Sequence, residues 1–203
     1  MSRIIAGSAR GARLQTPPGE RTRPTTDRVR EALFSSLATW NGSAAEGAEA
    51  HLEGIAFCDL FAGSGAVGLE AASRGARRVV CVEKDQPTSR IIKANASKAK
   101  LGVEVECASV DAFLQRGTDL FDVIWLDPPY PFTNDQVAQT LALAMPRLVH
   151  NGLVVLERSR RSGVPALPEG TEHWQRDYGE TVLHHVQWSD DPPSAQQEEK
   201  TDD

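Results

Sequence analysis

The chain of 203 residues is poor in sulfur and has no long apolar run. Its three cysteines, Cys58, Cys81 and Cys107, are odd in number and show no CxxC spacing, which excludes a disulfide framework and argues against a zinc site. Each lies in an apolar segment, so buried reduced thiols are expected. No stretch approaches the roughly 18 uncharged apolar residues that a membrane helix needs. The N-terminus MSRIIAGSAR sets Arg3 and Arg10 around only a short apolar patch, which does not read as a signal peptide. A cytoplasmic protein without structural metal is expected, and the five histidines, His51, His150, His173, His184 and His185, show no ligand spacing. Internal repeats are also lacking. What remains, 40% hydrophobic and 25% charged residues, is an ordinary globular composition.

Charge is unevenly spread. The net −6 conceals residues 1–30, where seven arginines and no lysine stand against Glu20 and Asp27 for a local +5. From Ser189 to Asp203 six acids face only Lys200, a local −5, and with Pro192 and Pro193 this stretch reads as a disordered solvated tail. An arginine-rich arm favours planar, fork-shaped contacts such as those to phosphate.

The pattern predicts three parts: an arm and helix over 1–45, a main domain over 46–188 and the tail over 189–203. Thr26 caps a helix with Val29, Leu33, Phe34 and Leu37 at helical spacing, ending near Trp40. Residues 41–54 read as a loose linker. Beyond them, strand-like runs at 55–60, 78–82, 103–107, 121–126 and 153–156 alternate with helical segments at 67–74, 88–99, 110–115 and 135–148. That alternation predicts a doubly wound α/β domain on a parallel sheet. Segments 172–178 and 181–188, joined through Gly179, predict a closing antiparallel pair.

In such sheets ligands bind beyond the carboxyl ends of the strands. The first loop there, Asp59-Leu60-Phe61-Ala62-Gly63-Ser64-Gly65, is a glycine-rich turn from strand into helix that lets backbone amides approach a ligand. Glu83 ends the next strand twenty residues after Gly63, the spacing at which a carboxylate accepts from ribose hydroxyls. Gly63-x-Gly65-x-x-Gly68 also satisfies the dinucleotide fingerprint, so NAD competes as the ligand. A carboxylate at Asp59 repels pyrophosphate and suits a cationic ligand, which favours S-adenosylmethionine with its ammonium and sulfonium. In the third loop Asp111 either reaches an adenine amine or caps the helix that starts there.

The fourth loop is Asp127-Pro128-Pro129-Tyr130. Two prolines stiffen it and remove N–H donors, leaving carbonyls and a carboxylate as acceptors beside an aromatic ring. Such a cluster recognises an NH2 group, whose delocalised lone pair makes it a poor nucleophile unless its hydrogens are held. Tyr130 would stack on a flipped base.

Asp59–Gly65, Glu83 and Asp127–Tyr130 resemble the motifs of class I S-adenosylmethionine-dependent methyltransferases acting on amino nitrogens. The N-terminal strings Arg3–Gly7, Gly11–Leu14 and Thr22–Phe34 narrow this, and the chain to about Trp188 closely resembles the RsmD family of 16S rRNA guanine-N2 methyltransferases. The resemblance implies a Rossmann-like seven-stranded sheet with a small N-terminal hairpin and helix, and a monomer. Its partner would be 16S rRNA or a small-subunit assembly intermediate. It implies Asp127, Pro128 and Tyr130 as catalytic residues. Cofactor contacts would come from Asp59, Phe61, Ala62, Gly63, Gly65, Glu83, Lys84, Asp111, Ala112 and Asp127. Arg3, Arg10, Arg13, Arg23, Arg28 and Arg30 would face RNA, with Arg23 and Arg28 either on phosphate or ordering the cofactor pocket. No cysteine adjoins a proline or follows the fourth strand, which sets aside cysteine-based cytosine methylation. Methylation of DNA adenine or protein glutamine shares the amine chemistry, and a noncatalytic nucleotide-binding assembly factor is the alternative from another class.

Overall fold

A computed structural model describes residues 2–17, 26–129 and 131–189. Arg23, Tyr130 and the acidic tail beyond Ser189 lie outside these. The chain opens with a short antiparallel pair, β1 (Ser2–Arg3) and β2 (Arg13–Leu14). Helix α1 (Asp27–Trp40) follows, with the Thr26 hydroxyl accepting from the Val29 amide. Then come β3 (Ala56–Leu60), α2 (Ala66–Ser73), β4 (Arg78–Val82), α3 (Gln86–Ala99), β5 (Glu104–Glu106), α4 (Val110–Arg116), β6 (Phe121–Leu126) and α5 (Asn134–Ala144). Strands β7 (Leu148–Ser159), β8 (Thr171–Tyr178) and β9 (Thr181–Trp188) complete the chain.

Seven strands form one sheet in the order β5-β4-β3-β6-β7-β9-β8. The first five are parallel, while β9 runs antiparallel to β7 and β8 to β9. This is the doubly wound sheet with its closing pair that the sequence pattern predicts. Strand alternation divides the core. Phe57, Val79, Val123, Trp125 and Val155 face α1, α2 and α3, meeting Leu33, Phe34, Val67 and Ile92. Cys58, Leu60, Ile124, Leu126 and Val154 face α4 and α5, meeting Phe113, Leu114, Val137 and Leu141. Helix α1 therefore belongs to the covering of the sheet.

The N-terminal hairpin is also fixed to the body. Ile4 and Leu14 are buried against Leu69 and Ala96. Glu70, fully buried, accepts from the amides of Ile5 (2.7 Å) and Ala6 (3.0 Å) and from Nε of Arg74 (2.9 Å). Gly7 sits at φ +80° with so little room that a Cβ would lie 1.8 Å from the Ser73 carbonyl oxygen. Ser73 in turn accepts from the Ser8 amide at 2.7 Å.

Four expectations need correction. Helix α5 stops at Ala144, short of residue 148, because Pro146 cannot donate to the helix ladder; residues 145–147 tighten into a 3-10 turn and Leu148 already starts β7. Residues 41–54 are built rather than loose: Leu52 is buried, and Ser43 and Asn41 both donate to the His51 carbonyl. Cys58 and Cys81 are buried, but Cys107, at the sheet edge, is exposed. Arg30 is 1% exposed and donates to the Arg3 carbonyl and the Asp27 carboxylate, so its guanidinium ties the hairpin to α1 and does not face RNA.

Glu70→Ala leaves a buried guanidinium and two amides without their acceptor. A loss of about 3–5 kcal/mol of unfolding free energy is expected in urea melts. Trypsin should cut at Arg10 and Arg13 before global unfolding, and unchanged cleavage there would show that something else holds the arm.

Candidate active site

Strand β3 lies between β4 and β6, so the chain reverses direction across the sheet beside it. The loops that leave β3 and β6 meet at this switch point, the place where such sheets take ligands. Edge-to-face packing of Phe61 on Phe132, with ring centres 5.3 Å apart, joins the two loops.

The turn after β3 winds through left-handed backbone at Phe61 (φ +63°), Gly63 (φ +52°) and Gly65 (φ +79°). Phe61 carries a side chain in that conformation, a strained arrangement of the sort concentrated at functional sites. The three glycines here differ in purpose. At Gly68 a Cβ would meet Cys81 Sγ at 2.4 Å, and at Gly65 it would meet Ile92 at 2.8 Å, so both serve close packing of α2. At Gly63 nothing lies within 4 Å of a Cβ, and the turn is open on that side.

Two carboxyl groups hold the turn. Asp59 Oδ2 accepts from the Gly68 amide at 2.8 Å, in the first turn of α2. Asp59 is only 2% exposed, and burial pushes its pKa up to about 8, with Asp127 and Glu83 adding to the rise. The side chain expected to face a cationic ligand therefore lies beneath the turn and acts by shaping it. Its protonated state near neutral pH also weakens the repulsion that would disfavour pyrophosphate. Glu83, half-buried, accepts from the Gly63 amide at 2.9 Å and the Asp85 amide at 2.8 Å, one on each carboxylate oxygen. Each oxygen keeps a further lone pair.

The third loop also differs from its expected form. Ser109 is the residue that caps α4, accepting from the Ala112 amide at 3.3 Å. Asp111 sits one step inside the helix; it, Ala112 and Lys84 are exposed beside the same strand ends. Of the fourth loop, Asp127 is half-buried and Pro128 buried; Pro129 accepts from the Phe132 amide at 2.9 Å. The loop closes on Thr133, whose hydroxyl and Gln136 form a reciprocal capping box on α5.

Sequence reasoning missed two further buried polar groups. Asn95 on α3 accepts from the Gln15 amide (2.8 Å) and donates to the carbonyls of Gln15 (3.0 Å) and Ser64 (3.1 Å), joining the arm to the glycine turn. Its position three residues after Ile92 and one before Ala96, on the apolar stripe of the helix, was the available signal. Arg158 near the end of β7 is the second. His173 and His184 also meet across β8 and β9, at 3.1 Å between ring nitrogens. Of the arm, Arg3 pairs with Asp27, while Arg10, Arg13 and Arg28 are exposed.

Residues 2–187 match a family model described as Conserved hypothetical protein 95. The ribosomal RNA small subunit methyltransferase D of Escherichia coli K12 is 35% identical over 170 residues, which span 82% of this chain and 79% of that protein. The chain belongs to the ribosomal RNA small subunit methyltransferase D family. Among solved structures, a hypothetical protein of Thermus thermophilus superposes with a TM-score of 0.76 at 35% identity, covering 92% of this chain and 99% of that one. A ribosomal protein L11 methylase of Lactobacillus delbrueckii shares the fold at 13% identity, with a TM-score of 0.59 and coverage of 77% and 79%. The family makes the chain a methyltransferase with the class I sheet.

Because Asp59 holds its proton to higher pH in the folded chain, its contribution to stability is full below its unfolded value and falls as the pH rises toward 8. Asp59→Asn keeps an acceptor for Gly68 and removes this titration. The melting temperature of the variant relative to wild type should climb by several degrees from pH 5 to pH 9. A difference that is flat across that range would contradict the raised value.

Proposed function

We propose that this chain transfers a methyl group from S-adenosylmethionine to the N2 amine of a guanine in 16S rRNA, by direct in-line attack without a covalent enzyme intermediate. The observation that carries the reading is the pairing, at one switch point, of a glycine turn held by Glu83 with the acceptor loop that starts at Asp127. Membership of the family supplies rRNA as the substrate class, as in the E. coli relative.

The residues present fit the cofactor. Gly63 leaves its side of the turn open, and Glu83 has lone pairs left for ribose hydroxyls after supporting the turn. Asp111, with Ala112 and Lys84 alongside, would meet the adenine end, while Phe61, Ala62 and Gly65 shape the floor. When bound, S-adenosylmethionine supplies the electrophilic methyl group. Asp127 holds the hydrogens of the target amine and is the base available for the proton it sheds. The Pro128 carbonyl is a second acceptor, and Tyr130 stacks on the base. Holding both hydrogens favours a pyramidal nitrogen whose lone pair is less delocalised into the ring, and catalysis rests on positioning and fixed electrostatics. Arg3 and Arg13 line a cavity of about 350 Å³ together with Ser2 and Asp27, and with Arg10 and Arg28 they form the basic surface for RNA phosphate. A monomer in the cytoplasm would meet 16S rRNA or a small-subunit assembly intermediate.

Methyl transfer from labelled S-adenosylmethionine to small subunits lacking their native methylation should yield N2-methylguanosine on nucleoside analysis. Label on adenine, on DNA or on protein would keep the amine chemistry and overturn the guanine assignment. Asp127→Ala should lower turnover by about 100-fold or more while S-adenosylhomocysteine affinity stays near wild type.

Deleting the arm would strip Ile4 and Leu14 from the core, so point changes are the cleaner probe of RNA contact. Replacing Arg10, Arg13 and Arg28 together by alanine should weaken rRNA binding and reduce the slope of log affinity against log salt by about 2. An unchanged slope would remove the arm from the interface.

A further inference from the structure

Strand β7 ends Glu157-Arg158-Ser159, and its alternation puts Arg158 on the face of Val154 and Leu156, under the start of α5. The side chain is 7% exposed. Nη2 donates to the Phe132 carbonyl at 3.2 Å and to Asn134 Oδ1 at 3.1 Å. Asn134 passes the connection on, since its amide nitrogen donates to the Ser162 carbonyl at 2.7 Å. One guanidinium thus clasps the far half of the loop that begins at Asp127 and ties it to the segment after β7.

Burial lowers the pKa of Arg158, and Asp127 is the opposing charge that favours the cation. The Nε atom is buried without a hydrogen-bond partner among the described residues. A methionine of similar length would fill this space without burying a charge, so stability alone does not call for arginine here. Each of these facts points at the loop: the bonds go to its backbone and to the first residue of α5, and the charge acts on its first residue.

We propose that Arg158 is a positioning residue for methyl transfer, gripping the loop at Phe132 and Asn134 and setting a fixed positive charge beside the Asp127 carboxylate that receives the target amine. The inference rests on the reading of Asp127 given above. Arg158 touches neither substrate nor cofactor; it determines where the acceptors stand. Displacements of about 1 Å at reacting groups cost on the order of 100-fold in rate.

The test uses the full chain with Arg158→Met and Arg158→Lys, assayed on undermethylated small subunits beside Asp127→Ala. Arg158→Met should lower kcat by about 10- to 100-fold, with KM for the particle and S-adenosylhomocysteine affinity within about threefold of wild type. Arg158→Lys keeps the charge and loses the fork, so its kcat should fall between the two. Millimolar guanidinium should restore part of the turnover of Arg158→Ala, a rescue that a merely structural role would not show. Wild-type kcat in Arg158→Met, or a loss that appears in KM and cofactor affinity in place of kcat, would overturn the proposal. Should Arg158→Met fail to fold, Arg158→Lys decides, and wild-type kcat there would overturn it equally. Failure of the underlying reading has a different signature: Asp127→Ala would then turn over normally, whereas a collapsed Asp127→Ala beside an intact Arg158→Met sinks the positioning role alone.

Discussion

The site depends on the hydrogen bond from the Gly68 amide to Asp59. A strand that must hand over to a helix within five residues leaves the first amides of α2 without partners, and Asp59 supplies one acceptor from below. The backbone of the turn is thereby free to coil through three left-handed residues, and the open flank of Gly63 faces the ligand side. The arrangement has a cost. A carboxyl with 2% exposure next to Asp127 and Glu83 takes up a proton well above the usual carboxylate range. That rise is the cost of setting the acceptor beneath the turn, out of water, where it can reach the Gly68 amide.

Around that turn the fold arranges three independent holds. Glu83 fixes it from the β4 side, Asn95 from α3, and the Phe132 ring, packed on Phe61, from the β6 loop. Asn95 matters beyond local order, because the same carboxamide pairs with both backbone groups of Gln15. The hairpin carrying Arg3, Arg10 and Arg13 is consequently registered on the glycine turn through one buried side chain. Glu70 and the tight approach of Gly7 to Ser73 anchor its other end. An RNA held by those arginines would be held at a set distance from the place of chemistry, which is what an enzyme selecting one amine needs.

Most of the architecture was legible because it rests on local periodicity. The runs at 78–82, 121–126 and 181–188 are strands as read, and Thr26 caps α1 as its position before an apolar stripe implied. The misreadings concern groups whose role is set by tertiary packing. Arg30 looks like one more arm arginine, yet it lies three and four residues before Leu33 and Phe34 on the buried stripe of α1. Arg158 likewise sits two residues past Leu156 in a strand whose period already pointed it inward. Asp59 lies near the end of its strand as read, but that it sits under the turn depends on how closely α2 packs on β4, through the close approach of Gly68 to Cys81. Charge in a sequence suggests water or a ligand, and only the third dimension distinguishes these from a buried strut.

The charge distribution then acquires a physical meaning. A chain with a formal charge of −6 is a poor nonspecific binder of nucleic acid. At physiological salt, surface charges act over about 8 Å, so RNA approaching the arm feels the exposed Arg10, Arg13 and Arg28 far more than the distant acids. One of the arginines that composition credits to binding, Arg30, is withdrawn from that field by burial, and the exposed pair with Asp27 only partly offsets Arg3. The electrostatic contribution is therefore small and local, and under the function proposed above the remaining affinity would come from shape matched around a fixed hairpin and from the base seated at Asp127. An enzyme built this way favours a folded RNA surface that meets arm and loop together over an arbitrary polyanion that meets only the arm.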